Sequence, residues 1–205
     1  QSVVLTGTDA SGCEFSKTQV IDVCPNDTLY EKSLSDNNWL FSRYQGVNFN
    51  SGSAVYMAGG QVGPGSIEGS ATMSHHRTGD LLFYSDAENV WDANHNVMPN
   101  GTGFISASGG QSTNQATVIV PMPGDTNQYY IFMNNGWTQD NGFNNEIRTS
   151  VVDMTLNGGL GDVVAASKNA LIGTHRGGEA MSGTARKKAT CSNDAEYWIA
   201  HTDSN

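Results

Sequence analysis

Short apolar and aromatic runs, separated by clusters of Gly, Asn, Asp and Ser, make up most of the chain. Residues 71–101 show this pattern most clearly. The apolar run Leu81–Ser85 within them has the length that a buried strand needs. Runs of this kind between turn-forming residues indicate β-hairpins. We expect four antiparallel strands here: Ala71–His76, Leu81–Ser85, Asn89–Trp91 and His95–Met98. A four-stranded meander of this size is typical of one blade of a β-propeller.

A loose internal repeat supports this interpretation. Four hydrophobic-aromatic triplets recur along the chain, at Trp39–Phe41, Leu82–Tyr84, Tyr130–Phe132 and Tyr197–Ile199. Their first residues are separated by intervals of 43, 48 and 67 residues. The first two intervals are close to the ~40–50 residues of a propeller blade, and the third predicts an insertion.

The same pattern divides the chain into three parts. Residues 1–24 contain two strands around a turn and are predicted to be the C-terminal hairpin of an immunoglobulin-like module, because two strands alone are not a stable domain. Residues 25–37 are a polar linker. Residues 38–205 are predicted to form propeller blades that are incomplete at the C-terminal end, so we expect a segment of a longer protein. Leu81–Ser85 and Tyr129–Met133 are expected to be central strands buried on both faces, because they are apolar and aromatic with little polar alternation. A turn is expected at Pro123–Asn127, before the second of these runs. Further strands are expected at Asn38–Gly46, Val47–Gly52, Ser53–Met57, Ala116–Pro121, Tyr129–Met133 and Glu146–Met154.

Composition narrows the fold class of the chain and the kinds of partner that it can bind. Charged residues make up only 15% of the chain and Gly contributes 24 residues, which favours a loop-rich all-β protein. The net charge of −10 disfavours nucleic acid and anionic membranes as partners, because both require a basic surface. No apolar run approaches the ~20 residues of a membrane helix. If Glu14–Val23 is one strand, Cys13 and Cys24 lie roughly 35 Å apart, too far for a disulfide.

Candidate metal ligands occur in two places. Hard oxygen ligands crowd residues 86–94, and such ligands suit Ca²⁺. The alternative role of the same side chains is turn formation, which Asp and Asn commonly serve. His75 and His76 form a second candidate pair, but neighbouring side chains on a strand point to opposite faces and cannot share an ion. The proposed calcium ligands are Asp86, Glu88, Asp92 and Asn94.

Candidate catalytic and carbohydrate-binding residues are less distinctive. The chain has no Gly-x-Ser-x-Gly motif, and pairs of carboxylates are unavoidable among twenty acidic residues. Four aromatic residues could line a sugar-binding platform, although packing between blades is the commoner role of such rings. They are Tyr44, Tyr56, Trp91 and Trp137.

Several stretches resemble one known family, the β-propeller module of large surface proteins that gliding bacteria export through the type IX secretion system. The resemblance covers roughly residues 38–202, and its most specific part is the string SVVDMTLNGGLGDV at Ser150–Val163. In that family the propeller follows immunoglobulin-like repeats that end in a DxxGC turn, which Asp9–Cys13 matches. Nothing here resembles the family's C-terminal sorting domain. The other matching stretches are Glu68–Ser74, Gly79–Asp86, Val90–His95, Met98–Gly101, Thr117–Pro121 and Tyr129–Phe132.

The resemblance implies a non-catalytic, structural or adhesive role at the cell surface, outside the cell. It implies partners among the other domains of the same long chain, surface glycans and other cell-surface proteins, without nucleic acid or membrane insertion. It brings no catalytic residues and no cofactor besides the calcium already considered. The alternative function is an extracellular hydrolase or lyase that degrades polysaccharide, because propellers support both roles.

Overall fold

The computed structural model describes residues 2–8, 14–20, 33–64, 69–104, 113, 115–134, 146–174, 180–187 and 195–201. In these ranges the chain is all-β, and its only helical elements are short 3-10 turns at Asn157–Gly159 and Ala165–Ser167. Every strand pair is antiparallel. The strands are β1 Ser2–Thr8, β2 Glu14–Val20, β3 Asn38–Phe41, β4 Gln45–Asn48, β5 Val55–Ala58, β6 Ala71–Ser74, β7 Leu81–Ser85, β8 Val90–Asp92, β9 Thr117–Pro121, β10 Gln128–Asn134, β11 Glu146–Asp153, β12 Asp162–Val163, β13 Ala170–Thr174, β14 Met181–Lys187 and β15 Ala195–His201.

The strands form five sheets that follow chain order. Strands β1 and β2 pair antiparallel along their whole length, and the immunoglobulin-like module to which they were assigned stays a prediction. Strands β3–β5 form sheet 1 and β6–β8 form sheet 2, each as a simple meander. Sheet 3 has the order β12-β11-β10-β9, with β13 also paired to β11, and β14 and β15 form sheet 4. Among the residues described, these sheets form no closed ring or barrel.

Two long apolar runs occupy the predicted central positions. Leu81–Ser85 is β7 and lies between β6 and β8, while Tyr129–Met133 lies within β10, between β9 and β11. In β7 three consecutive residues are buried, so both faces of the strand are covered. In β10 buried residues alternate with half-buried ones, so one face is more exposed than the other. The prediction of burial on both faces is therefore confirmed for β7 and only partly for β10.

Two sequence predictions are wrong at turns. The first hairpin of sheet 1 turns at residues 42–44 and not near residue 46, because Arg43 and Tyr44 both adopt positive φ angles, of 65° and 62°. Neither residue type favours that conformation, and the turn contains no Gly or Asn that would have indicated it in the sequence.

The predicted fourth strand of sheet 2, His95–Met98, is reduced to one bridge between Trp91 and Val97. A turn on each side leaves it too short to extend further.

The triplet repeat is also imperfect. Trp39–Phe41 lies in β3, the first strand of its sheet, whereas the other three triplets lie in the second strands of their sheets, β7, β10 and β15. The recurrence therefore marks equivalent positions in three of the four sheets. An aromatic first strand and an aromatic central strand are indistinguishable by composition alone.

Successive sheets pack against each other face to face. Leu40 of β3 packs with Val62, Tyr84 and Trp91, which joins sheet 1 to sheet 2. The opposite face of sheet 2 packs on sheet 3, where the rings of Phe83 and Tyr129 meet edge to face with centroids 5.4 Å apart. This second cluster is the larger core, formed by Met73, Phe83, Val90, Met98, Phe104, Tyr129, Ile131, Met133, Val152 and Val163.

The packing continues from sheet 3 to sheet 4. An added Cβ at Gly183 of β14 would lie only 3.0 Å from Val118 and 3.1 Å from Val120, both on β9. The first strands of the four sheets also contact one another in sequence, β3 with β6, β6 with β9 and β9 with β14. Sheets 2 and 3 are therefore covered on both faces by their neighbours.

A β-bulge in β7 adjusts the packing of sheet 2. Met73 pairs with Phe83 and Ser74 pairs with Leu81, so Leu82 is an extra residue without a partner on β6. An extra residue breaks the strict alternation of side chains between faces. As a result Leu81 packs in the same cluster as Tyr84, although the two residues are three positions apart and strict alternation would place them on opposite faces.

Candidate binding surface

The outer face of sheet 1 exposes large apolar side chains to solvent. Cross-strand pairing places Trp39, Val47 and Tyr56 in one row, because Val47 pairs with both of the others. Trp39 is 55% exposed and Tyr56 is 67% exposed. A second row on the same face contains Phe41, Gln45 and Ala58, all of them exposed. We call these six residues the outer face.

The indole of Trp39 is held in a fixed orientation. Its Nε1–H donates a hydrogen bond to the carbonyl oxygen of Asp36 at 2.9 Å. Its ring also contacts Phe49 edge to face, with centroids 5.1 Å apart. A ring fixed at two points loses little conformational entropy when a partner packs on it, so the surface is preorganised for binding.

The outer face is also close to electrically neutral. Among residues 33–64, which include all of sheet 1, Asp36 and Arg43 are the only charged side chains, although the whole chain carries −10. A neutral, aromatic surface suits an apolar partner or the apolar face of an uncharged ligand, and is unsuited to ionic recognition.

The aromatic residues predicted from sequence divide into two groups. Tyr56 lies on the outer face, and Tyr44 is 52% exposed in the adjacent turn. Trp91 is only 6% exposed and its ring stacks on Tyr84 with centroids 5.2 Å apart, so a role in a sugar platform is wrong for this residue. Trp137 lies outside the described residues. Sequence reasoning missed Trp39 as a surface residue. Neighbouring side chains on a strand point to opposite faces, so Trp39 is exposed on the face opposite the buried Leu40.

The hydroxyl of Tyr84 links three segments at the inner side of sheet 1. It accepts a hydrogen bond from the backbone N–H of Gln61 at 3.1 Å and lies 3.0 Å from Nδ1 of His95. Burial raises the pKa of Tyr84 well above its ordinary value, since water cannot solvate the phenolate. The hydroxyl is therefore neutral and serves as a structural hydrogen-bonding group.

The proposed calcium ligands lie in two successive turns. Oδ1 of Asp86 accepts the backbone N–H groups of Glu88 and Asn89, at 3.0 and 2.8 Å. Oδ1 of Asp92 accepts those of Asn94 and Asn96, at 2.8 and 2.9 Å. These are turn-stabilising contacts, the alternative role weighed for these residues.

A metal site is not apparent in this region. No group of three or more His, Cys, Asp and Glu side chains suited to a metal ion occurs within the ranges that the structure covers. The calcium site at Asp86, Glu88, Asp92 and Asn94 remains an untested prediction, and its two aspartates each have an oxygen engaged by backbone amides. Cys13 and Cys24 lie outside the described residues.

The prediction that His75 and His76 point to opposite faces is wrong. Strand β6 ends at Ser74, so both histidines lie beyond the strand, and their rings lie side by side with centroids 4.9 Å apart. Nδ1 of His75 accepts the backbone N–H of Thr78 at 3.3 Å. Burial, together with the neighbouring His75 and Arg77, lowers the pKa of His76. The pair forms part of an exposed turn.

Comparisons with known proteins neither identify the chain nor contradict the motif resemblance. No protein-family model matches it, and no curated protein or solved structure matches it significantly. In the part of the chain that the structure describes, no helix is long and apolar enough to cross a membrane.

Proposed function

We propose that the chain is a non-catalytic, structural and adhesive segment of a large secreted cell-surface protein, built from successive blades of a β-propeller. The observation that carries the proposal is the arrangement of the sheets. Four antiparallel sheets pack face to face in chain order, and β3, β6, β9 and β14 contact one another in sequence. In a propeller, radially repeated sheets place their innermost strands in this way. Secretion, cell-surface location and gliding-type export rest on the motif resemblance alone.

The surroundings of two acidic side chains agree with a structural role and differ from those of a catalytic acid in a polysaccharide hydrolase, the alternative class. Glycosidases generally need one carboxyl group whose pKa is raised so that it can act as an acid. Asp153 shows the opposite behaviour, because donors from Thr155 lower its pKa. The buried Asp162 accepts the backbone and side-chain N–H groups of Asn100, at 2.8 and 2.7 Å. The carboxylates of Asp153 and Asp162 therefore hold neighbouring loop residues in place through hydrogen bonds.

Two experiments test the proposal. The first screens the protein against a panel of polysaccharides for released reducing ends or unsaturated products, and in parallel against a glycan array. We expect no turnover, with any glycan binding weak at each site. Turnover that one Asp or Glu substitution abolishes in a folded variant would establish the enzyme alternative.

The second experiment concerns the architecture. A crystal structure that includes sheets 1–4 is expected to show β3, β6, β9 and β14 around a common axis. Sheets stacked along a straight line, without such an axis, would contradict the propeller arrangement. The non-catalytic role would not be affected by that result, because the turnover assay tests it separately.

A further inference from the structure

We propose that Asn157 is a site of spontaneous deamidation, and that the fold protects Asn100 from the same reaction. Both asparagines are followed directly by glycine. The inference concerns covalent modification of the chain and does not depend on the proposed function. Asn135 and Asn141 also precede glycines, but they lie outside the described residues and carry no part of the argument.

The reaction needs only the asparagine side chain, the amide of the next residue and water. The amide nitrogen of Gly158 attacks Cγ of Asn157, and the new N–Cγ bond closes a succinimide ring. The Cγ–Nδ2 bond breaks, and the proton lost by the attacking nitrogen leaves with the ammonia. Water then opens the ring at Cγ, which gives aspartate, or at the backbone carbonyl carbon, which gives isoaspartate. A following glycine favours the attack, because it has no Cβ and its backbone rotates freely.

The turn at residues 156–161 meets these requirements. Asn157 and Gly158 are both exposed, and a Cβ built on Gly158 would meet nothing within 4 Å. In the described ranges no hydrogen bond involves the side chain of Asn157 or the N–H of Gly158, so both reacting groups are available. Ring closure requires the backbone at Asn157 to rotate. The three backbone hydrogen bonds of the turn that oppose this rotation are all local to it, and local openings of exposed turns cost little.

Asn100, in the loop after β8, has surroundings that oppose the same rotation. Its backbone N–H and its side-chain amide both donate to the carboxylate of Asp162, at 2.8 and 2.7 Å. Its carbonyl oxygen accepts a hydrogen bond from Nζ of Lys168 at 3.0 Å. The attacking nitrogen would be that of Gly101, which is buried and donates to the carbonyl oxygen of Met98 at 2.8 Å. Ring closure at Asn100 would therefore break long-range contacts as well as a local one.

These contacts predict the relative rates at the two sites. Asn100 is held by a carboxylate and an ammonium group, and hydrogen bonds to charged groups are stronger than those between neutral groups. We therefore expect Asn157 to react about tenfold faster than Asn100, or more, in the folded protein. In the unfolded chain neither asparagine has these contacts and both precede glycine, so the two rates should be similar.

The products would alter the turn in different ways. Aspartate adds a negative charge to a chain that already carries −10. Isoaspartate routes the main chain through Cβ and Cγ, which lengthens the turn by one backbone atom. The hydrogen bond from the N–H of Leu160 to the carbonyl oxygen of Asn157 would then no longer fit.

Peptide mapping of the whole chain by mass spectrometry tests the inference. The protein is incubated at mildly alkaline pH in water enriched in heavy oxygen, so that a product formed in the intact protein carries the label and a product of later handling does not. A parallel sample in urea is the unfolded reference, and incubation continues until that sample is measurably converted. We expect labelled aspartate and isoaspartate at Asn157 in the folded sample, about tenfold or more ahead of Asn100, and similar conversion of both in urea.

The variant Asp162→Asn tests the protection of Asn100 directly. It removes the carboxylate that holds Asn100 and lies outside the turn at residues 156–161. Asn100 should then react about tenfold faster than in wild type, while the rate at Asn157 stays the same. Circular dichroism confirms that the variant is folded. Lys168→Met, which removes a different contact of Asn100, replaces it if it is not.

Three results would overturn the inference. The first is an Asn157 that stays intact in the folded protein while the urea sample is converted. The second is a folded Asn100 that reacts as fast as Asn157. The third is a rate at Asn100 that a folded Asp162→Asn or Lys168→Met protein leaves unchanged, because the fold would then protect this residue in some other way.

Discussion

The side-chain amide nitrogen of Asn38 lies 2.6 Å from the carbonyl oxygen of Gly79, and this hydrogen bond joins the first strand of sheet 1 to a turn of sheet 2. The same nitrogen lies 3.0 Å from Oγ of Ser74, and Oδ1 of Asn38 accepts a hydrogen bond from Asn48. Asn38 is buried, so each of its polar atoms depends on these protein partners. The side chain of Asn38 therefore connects the two sheets through two hydrogen bonds, and a third holds it to β4 of its own sheet.

We predict that Asn38→Asp lowers the free energy of unfolding by about 2–3 kcal/mol, because it removes both donated hydrogen bonds and places a carboxylate beside the carbonyl oxygen of Gly79. Asn127→Asp is the matched control, since it makes the same change of charge at an exposed turn. Urea denaturation of both variants provides the measurement. A loss of less than about 0.5 kcal/mol for Asn38→Asp would show that the network contributes little.

A second prediction concerns the close approach of β3 and β4. A Cβ at Gly46 would lie 2.6 Å from Cδ2 of Leu40 and 2.9 Å from the carbonyl oxygen of Trp39. Gly46→Ala should therefore cost about 1–3 kcal/mol through overpacking. Gly173→Ala, in β13, is the control, because a Cβ there meets nothing within 4 Å. Thermal melts compare the two, and equal effects would contradict the steric explanation.

A third prediction tests the hydroxyl of Tyr84. Removing it in Tyr84→Phe leaves the backbone N–H of Gln61 without its partner in a partly buried site, which should cost about 1–2 kcal/mol. The exposed Tyr56→Phe provides the control and should change stability by less than about 0.5 kcal/mol. Chemical denaturation measures both. If the two variants are equally stable, the hydroxyl of Tyr84 has no structural role.

A fourth prediction concerns Asp153, whose pKa is lowered chiefly by the hydroxyl of Thr155 and then by the Thr155 backbone amide, with a further donor from Gln128. A carboxyl with a lowered folded-state pKa stabilises the fold above its unfolded pKa, and this contribution is lost as the pH falls through the folded value. Thr155→Ala should raise the pKa of Asp153 toward its ordinary value, whereas Thr155→Ser should leave it low.

Carbon-detected NMR titration of the Asp153 carboxyl measures this effect directly. Because Asp153 is partly exposed to water, which screens its interactions, we expect the change in acid stability to be small. An identical pKa in the alanine and serine variants would show that the hydroxyl of Thr155 is not the main cause.

Sequence patterns predicted the strands best where apolar runs ended at Gly, Asn or Asp. Leu81–Ser85 was predicted with both ends correct, and the turn before β10 followed from Pro123–Asn127. The turn at Arg43 and Tyr44 could not be predicted, because neither residue type favours a positive φ. Local pattern also misplaced the histidines, because the backbone of His75 already belongs to the turn, where it donates to the carbonyl oxygen of Asp80 and accepts from the N–H of Gly79.

The candidate surface was only partly foreseeable for a related reason. Tyr44 and Tyr56 were identified as aromatic candidates, but so was Trp91, which the structure buries against Tyr84. Exposure of a ring depends on which face of a sheet meets its neighbour, and this is a property of tertiary packing. The buried asparagine network around Asn38 was likewise invisible, because single Asn residues usually indicate turns.

The bulge at Leu82 has a consequence for how this segment tolerates insertions and deletions. Deleting Leu82 would leave Met73 paired with Phe83 and Ser74 paired with Leu81, now in an unbroken register. Leu81 and Tyr84 would then be two positions apart and would share a face by ordinary alternation, so their common contact with sheet 1 would persist. The loss would be confined to the packing of Leu82 against the larger core. Strand β7 can therefore lose one residue at the bulge without reversing its other side chains, and homologous chains that are one residue shorter here should keep Phe83 and Tyr84 on the same faces as in this chain.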